Sequence, residues 1–342
     1  MRFQILVSVA LLWLAGPAAA ASPDVQVVND AQWSSEAASK SGTNPVLVKT
    51  QVLLDRARFS PGEVDGKLGD NLKKALTAFA AEHGLPATSG LSEELWQKLV
   101  STSTDPILKE YVISDNDVKG PFLKKVPAKM EEMKDLPGLS YTSPREKIAE
   151  KFHMSEELLA RFNPGQKFET AGETIVVANV SSGDLPQKAV RIEVDKSAQT
   201  LKAFDRDHKL VAFYPVTAGS VEKPAPVGRV KVTAISKNPT YRYNPAYAFK
   251  GVKTQEPFRI KPGPNNPVGS VWIGLQGEGY GIHGTPDPSK VSKSESHGCI
   301  RMTNWDALQL ASAISKGTPV EFSGDESERK PKAKEATKRK RL

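Results

Sequence analysis

The chain has 342 residues, 39% of them hydrophobic and 25% charged, with 25 glycines, 25 prolines and a formal net charge of +8. That length predicts two or three domains, and the composition is that of a turn-rich globular protein able to bury a core, not of a disordered or membrane-spanning chain. Half of the excess charge lies in residues 324–342, where eight Lys/Arg face four Asp/Glu, and the remaining body is too weakly basic for a nucleic-acid-binding surface.

Residues 1–21 read MRFQILVSVALLWLAGPAAAA: Arg2, an apolar run from Phe3 to Ala15, a Gly16-Pro17 breaker, then small residues. This pattern predicts a signal peptide, with the mature protein exported to the periplasm or cell wall. The apolar run is too short to span a bilayer comfortably, so no transmembrane anchor is expected after cleavage. Cysteines in an oxidising compartment usually pair, yet Cys299 is the only one in the chain. A buried inert thiol and a reactive one are both open on that count. The tail at 324–342 reads as disordered, serving either as a solubiliser or as an anion-binding arm.

Between residues 44 and 100 the apolar spacing predicts three short amphipathic helices, in PVLVKTQVLLDRARF, NLKKALTAFAAEH and SEELWQKLV. A tight loop, SPGEVDGKLGD, joins the first two. Gln51 and Leu54, the Asp65-Gly66 turn, Ala75 and Phe79, and Gly84-Leu85 together resemble the small peptidoglycan-binding domain, although Ala80 stands where that family usually has glutamine. The resemblance implies an all-α bundle that docks on the cell wall.

Residues 139–180 open a helix at Ser143 with Pro144 at its first position and Glu146 completing a capping box. A second helix from Ser155 and a strand in GETIVVANV follow. Helix, helix and strand, with Asn163-Pro164 between, resemble a LysM module, which implies a small α+β glycan-binding unit; Ser143 to Ile148 replace that family's usual opening. His83 and His153 fall near helix ends without companion ligands and are expected to be surface or capping residues.

From residue 189 to 323 the texture changes to alternating strands, among them AVRIEVDKSAQTLKAF, KLVAFYPVTAG, VGRVKVTAI and VWIGL. One strong helix, NWDALQLASAISK, is capped by Thr303 and stopped by Gly317. A mainly-β C-terminal domain is predicted.

Within it, GIHGTPDPSKVSKSESHGCIR carries His283, His297 and Cys299. The H-x-C spacing is unlike a zinc knuckle and no fourth ligand is near, so no metal and no cofactor are expected. A cysteine nucleophile needs a base, an orienter for that base, and amide donors for the oxyanion. Ionising an ordinary thiol at pH 7 costs about 2 kcal/mol, which an imidazole can offset by forming an ion pair. On an extended backbone His297 and Cys299 project from one face about 6.5 to 7 Å apart, a poor hydrogen-bond geometry. His283, arriving from another segment, is therefore the expected base, its second nitrogen held by a carbonyl such as that of Gly284. His297 is left beside the substrate. The amides of Gly298 and Cys299 are candidate oxyanion donors. Arg301 suits either a substrate carboxylate or a structural salt bridge.

IHGT followed by SHGCIRM, preceded in order by PVTAG, APVGRVKV and GPNNPVGSVWIGL, resembles the L,D-transpeptidase catalytic domain of the YkuD type over about residues 189–322. The resemblance implies an acyltransferase whose cysteine attacks a peptidoglycan tetrapeptide at the carbonyl between its third residue and the terminal D-alanine. An acyl-enzyme follows, resolved by a neighbouring stem-peptide amine to give a 3-3 cross-link, or by a wall-attached protein. Water as acceptor would make the enzyme a carboxypeptidase, and a non-catalytic wall-binding protein is the alternative from another class. Carried onto this sequence, Cys299 and His283 are catalytic; His297, Gly298 and Gly284 form the oxyanion surroundings; Arg301, Ser296 and Thr285 contact substrate. The partner implied is peptidoglycan, both glycan strands and stem peptides.

Overall fold

The computed structural model describes residues 23–36, 42–86, 90–181, 183–220, 223–247, 252–296 and 298–325. The predicted signal peptide, His297 and the basic tail beyond Asp325 lie outside the described residues. Among the described residues no helix is long and apolar enough to cross a membrane.

The first half is helical. A helix the sequence pattern did not reveal, α1 (Pro23–Asn29), packs on α2 (Pro45–Arg56). Asn44 caps α2 by accepting from the Val46 amide at 2.9 Å, with Pro45 supplying a pre-set first turn. α3 (Asp70–Glu82) and α4 (Glu93–Val100) complete the bundle and bury Leu72, Leu76, Phe79, Leu95 and Trp96. Gln51 closes the intervening loop: its amide donates to Asp65 Oδ1 at 2.8 Å and its carbonyl accepts from the Gly66 amide at 2.7 Å.

Next come β1 (Leu108–Val112), α5 (Pro144–Lys151), α6 (Glu156–Phe162) and β2 (Thr174–Ala178), with β1 antiparallel to β2. The strand partner of β2 thus starts well before residue 139; LKEYV is too short and too charged to stand out as a strand. Ser143 accepts from the Glu146 amide and Glu146 reaches back to Thr142, one residue outside the helix cap. The two predicted small units share one apolar core running from Val25 to Val180. Arg56 ties them, donating to the Asn179 carbonyl at 2.6 Å and to the Asp105 carbonyl at 3.1 Å.

The second half is a nine-stranded mixed sheet in the order β5-β4-β3-β13-β7-β10-β11-β12-β6. Its strands are β3 (Arg191–Asp195), β4 (Thr200–Phe204), β5 (Leu210–Pro215), β6 (Thr217–Ala218), β7 (Gly228–Lys237), β10 (Val271–Leu275), β11 (Gly281–His283), β12 (Ile300–Arg301) and β13 (Pro319–Ser323). A separate hairpin pairs β8 (Tyr241–Tyr243) with β9 (Phe258–Ile260). α7 (Asn304–Ala313), capped by Thr303 as predicted, packs on β10, β11 and α5.

The halves do not behave as beads on a string. Edge strand β5 is met by residues 58–60: the Phe213 amide donates to the Arg58 carbonyl and the Ser60 amide to the Phe213 carbonyl, both at 2.9 Å. This pairing blunts one open edge of the sheet. Phe213 is counted in the N-terminal core, where its ring lies 6.4 Å from that of Phe59. Behind it, His153 is buried, bonds Asp55 through Nδ1 at 2.8 Å and stacks on Trp305 with ring centroids 5.0 Å apart. The expectation that His153 sits at the surface is therefore corrected: the domain contact that buries it is invisible to local pattern. Ser60 donates to Asp306 Oδ2 at 2.9 Å across the same contact.

Two predictions follow from this contact. Residues 183–325 produced without the N-terminal half should melt more than about 5 °C below the full chain, because Phe213 and Trp305 lose their cover; equal melting temperatures would show mere tethering. Burial pushes the Asp306 carboxyl up to about 7. A raised carboxyl pKa contributes stability below the ordinary carboxylate value of about 4 and loses it as pH rises through about 7. Thermal stability should thus fall as pH rises from about 4 through about 7 and level off above, and Asp306→Asn should flatten that slope.

Candidate active site

The segments GIHGT and SESHGCIR meet as adjacent parallel strands, with Ile282 opposite Ile300 and His283 opposite Arg301. β10 pairs on the other side of β11, placing Ile273 against Ile282 and Trp272 against His283. Ile273, Ile282, Ile300 and Ala218 are fully buried and anchor one face. Strand alternation then turns Trp272, His283 and Arg301 to the opposite face. There they line a cleft of about 1270 Å³ together with Cys299, Tyr280 and Gly298.

His283 Nδ1 lies 2.6 Å from the Gly284 carbonyl oxygen. A carbonyl only accepts, so Nδ1 carries the proton and Nε2 presents its lone pair. The ring stacks on Trp272 at 5.7 Å between centroids and 20° between planes. Gly281 is required beneath that indole, since a Cβ there would stand 2.5 Å from its ring. Burial first, and the Arg301 charge second, lower the His283 pKa to about 3.

The Cys299 thiol donates to the Gly279 carbonyl at 3.3 Å. Burial pushes it up to about 11, against smaller opposing effects from a backbone hydrogen bond at Gly281 and the Arg301 charge. Both shifts favour neutral forms, so the resting pair is thiol and imidazole. The expected thiolate–imidazolium pair is therefore disfavoured, since burial raises the thiol pKa and lowers that of the imidazole. The arrangement can still do acyl chemistry, with the proton leaving sulfur as the bond to carbon forms.

The remaining expected residues are variously placed. Gly298 has φ +91 and a Cβ there would come 3.2 Å from both the Pro224 carbonyl oxygen and Tyr280, so the turn before Cys299 requires glycine. Ser296 lines the cleft, but its hydroxyl donates to the Cys299 carbonyl at 2.6 Å and so holds the backbone of the thiol residue. Thr285 is buried outside the cleft lining and accepts from the Asp287 amide at 3.2 Å; the loop's own turn takes the hydroxyl expected to contact substrate. Arg301 points into the cleft and donates to Ser294 Oγ at 3.2 Å. Among the described residues no carboxylate lies within ion-pair distance of it, and the Asp287 charge acts on it from farther away. Trp272, Tyr280 and Asn304 were not anticipated; the glycines at 281, 284 and 298 were the local signal that large side chains press on this backbone.

The model of the YkuD L,D-transpeptidase catalytic domain matches residues 189–322. The chain is 32% identical over 181 residues to YkuD of Bacillus licheniformis, an L,D-transpeptidase by name, a match spanning 52% of this chain and 92% of that protein. It belongs to the YkuD family of L,D-transpeptidases. The Bacillus subtilis YkuD is 30% identical over 174 residues, with 51% of this chain and 89% of the relative covered. YbiS of Escherichia coli, also an L,D-transpeptidase by name, is 26% identical over 196 residues, with 53% of this chain and 60% of the relative covered. The family makes the protein a transpeptidase, and the mainly-β C-terminal domain is its catalytic fold.

The neutral resting pair has a measurable signature in this transpeptidase. Four pH units below a pKa of about 11, about one thiol in 10⁴ is ionised. Alkylation by iodoacetamide should therefore be slow at pH 7 and climb about tenfold per unit toward pH 10. Fast, pH-independent alkylation near neutrality would reveal an ion pair instead.

Proposed function

We propose that the protein is an exported cysteine L,D-transpeptidase that acts on peptidoglycan tetrapeptide stems through an acyl-enzyme on Cys299. The observation that carries this reading is the neighbouring parallel pair β11–β12, which delivers a carbonyl-oriented imidazole and a thiol to one cleft. Cys299 Sγ attacks the carbonyl preceding the terminal D-alanine while His283 Nε2 takes its proton. The proton passes to the departing amine, D-alanine leaves, and a thioester remains. An incoming amine then attacks the thioester, loses its proton to His283 and restores the thiol. The amides of Gly298 and Cys299, in the left-handed turn that glycine permits, are read as the donors to the developing oxyanion.

The cleft's charge fits such a donor. Lys129, Lys223, Lys237, Arg242 and Arg301 line it against the single carboxylate of Glu278, which suits a peptide carrying several carboxylates. The acceptor is taken to be an amine of a second stem, yielding a 3-3 cross-link, with a wall-attached protein as the other amine source. The N-terminal helical bundle and the βααβ unit are read as wall-binding modules held against the catalyst.

Incubating the full chain with a tetrapeptide muropeptide and an amine acceptor should release D-alanine and yield the amide product by mass spectrometry. Cys299→Ala should abolish both while preserving cooperative unfolding. His283→Ala should lower turnover by about 10² to 10⁴. Turnover retained without the thiol would end the assignment, and release of free acid alone would convert the reading to a carboxypeptidase.

A further inference from the structure

The loop carrying His283 is braced by a side chain that is itself held from the other half of the molecule. The Asn304 carboxamide, at the first position of α7, sits between two glycine backbones. A Cβ on either Gly269 or Gly284 would stand 2.1 Å from Asn304 Oδ1. Oδ1 accepts from the Ser270 amide at 2.9 Å, and Nδ2 donates to the Pro264 carbonyl at 3.2 Å. Nδ2 also donates to both carboxylate oxygens of Glu150, each at 3.1 Å. With one donor group facing acceptors and one acceptor facing a donor, the orientation of the amide is forced. Glu150 lies on α5, and Tyr141 donates a third hydrogen bond to its Oε1 at 3.0 Å.

Nothing in the transpeptidase chemistry uses Glu150, yet a desolvated carboxyl is costly to keep without a task. We propose that Glu150, from the N-terminal half, is a positioning residue that holds the catalytic base through Asn304. The path is short and each link is a contact. Glu150 fixes the Asn304 amide, the amide fixes the Gly284 peptide, and the Gly284 carbonyl fixes the His283 tautomer at 2.6 Å. Loss of the carboxylate leaves Asn304 Nδ2 with the Pro264 carbonyl as its remaining acceptor, so the amide is held less firmly and the peptide wedged against it shifts with it. The N-terminal half then contributes to turnover directly, apart from any contact it makes with the wall. The assignment rests on His283 being the base, as proposed above.

The test uses the full-length protein. Glu150→Ala removes both acceptor oxygens; Glu150→Met does the same while keeping volume, in case the smaller side chain fails to fold; Glu150→Gln keeps one acceptor oxygen for Asn304 and Tyr141. In folded Ala or Met variants kcat should fall about 10- to 100-fold with KM within about twofold, the signature of a misplaced base. Imidazole ¹⁵N shifts of His283 should move from a pure Nδ1–H form toward a mixture of tautomers. Glu150→Gln should retain most of the turnover and the wild-type shifts. A double substitution with Asn304→Ala should cost no more than Asn304→Ala alone. Unchanged kcat and unchanged ¹⁵N shifts in a folded Ala or Met variant would overturn the proposal, as would a Gln variant as impaired as Ala. The ¹⁵N measurement needs no substrate, so a wild-type protein inactive on stem peptides would sink the functional reading while leaving this one to be judged separately.

Discussion

The pairing of Ile282 with Ile300 is the constraint on which the site depends. Both side chains are fully buried in the C-terminal core, and that burial fixes which face of β11 and β12 meets the cleft. Because side chains alternate along a strand, His283 and Arg301 are forced to the opposite face, and a slip of one residue would bury the imidazole among aliphatics and expose the isoleucines. Two fully buried isoleucines are worth several kcal/mol together, about 1.5 to 3 each, so the register is held by core packing and not by the polar groups it displays. The reactive arrangement is a by-product of a hydrophobic pair.

Around that pair, shape is enforced by absent side chains. Gly281 makes room for the Trp272 ring, Gly284 and Gly269 for the Asn304 amide, and Gly298 for Tyr280 and a left-handed turn. Each large group in turn presses on the backbone that carries a functional side chain: Trp272 on the His283 ring, Asn304 on the peptide that holds its Nδ1, Tyr280 on the turn before the thiol. Rigidity here has an electrostatic consequence. Packing around the cleft floor shifts both thiol and imidazole toward their neutral forms at rest. Charge therefore develops only as the carbonyl is attacked, where fixed amide dipoles are of most use.

The molecule is also more unified than three modules in sequence would be. Residues 58–60 extend the sheet at β5, His153 stacks on Trp305, and Glu150 reaches Asn304. Residues 128–130, between β1 and α5, line the same cleft as Cys299. The N-terminal half therefore supplies walls and braces to the catalytic domain, whatever else it binds.

Local pattern was sufficient for much of this. Caps at Ser143 and Thr303 and apolar spacing at 3.6 residues placed the main helices, since these depend on neighbours within one turn. Period-2 alternation placed the strands of the last domain. The two histidine-flanked segments named the site because nucleophile, base and glycine turn are close in sequence. What the chain alone left open mostly involved partners more than about forty residues away: the short charged strand β1, the burial of His153 and the Glu150–Asn304 contact; the hydroxyls of Ser296 and Thr285 were instead taken by backbone two or three residues away, once the turns had closed. Spacing showed which groups could act together; the shift of both toward their neutral forms followed only from the tertiary packing around them, because desolvation is a property of everything packed around a group and is written in no single stretch of sequence.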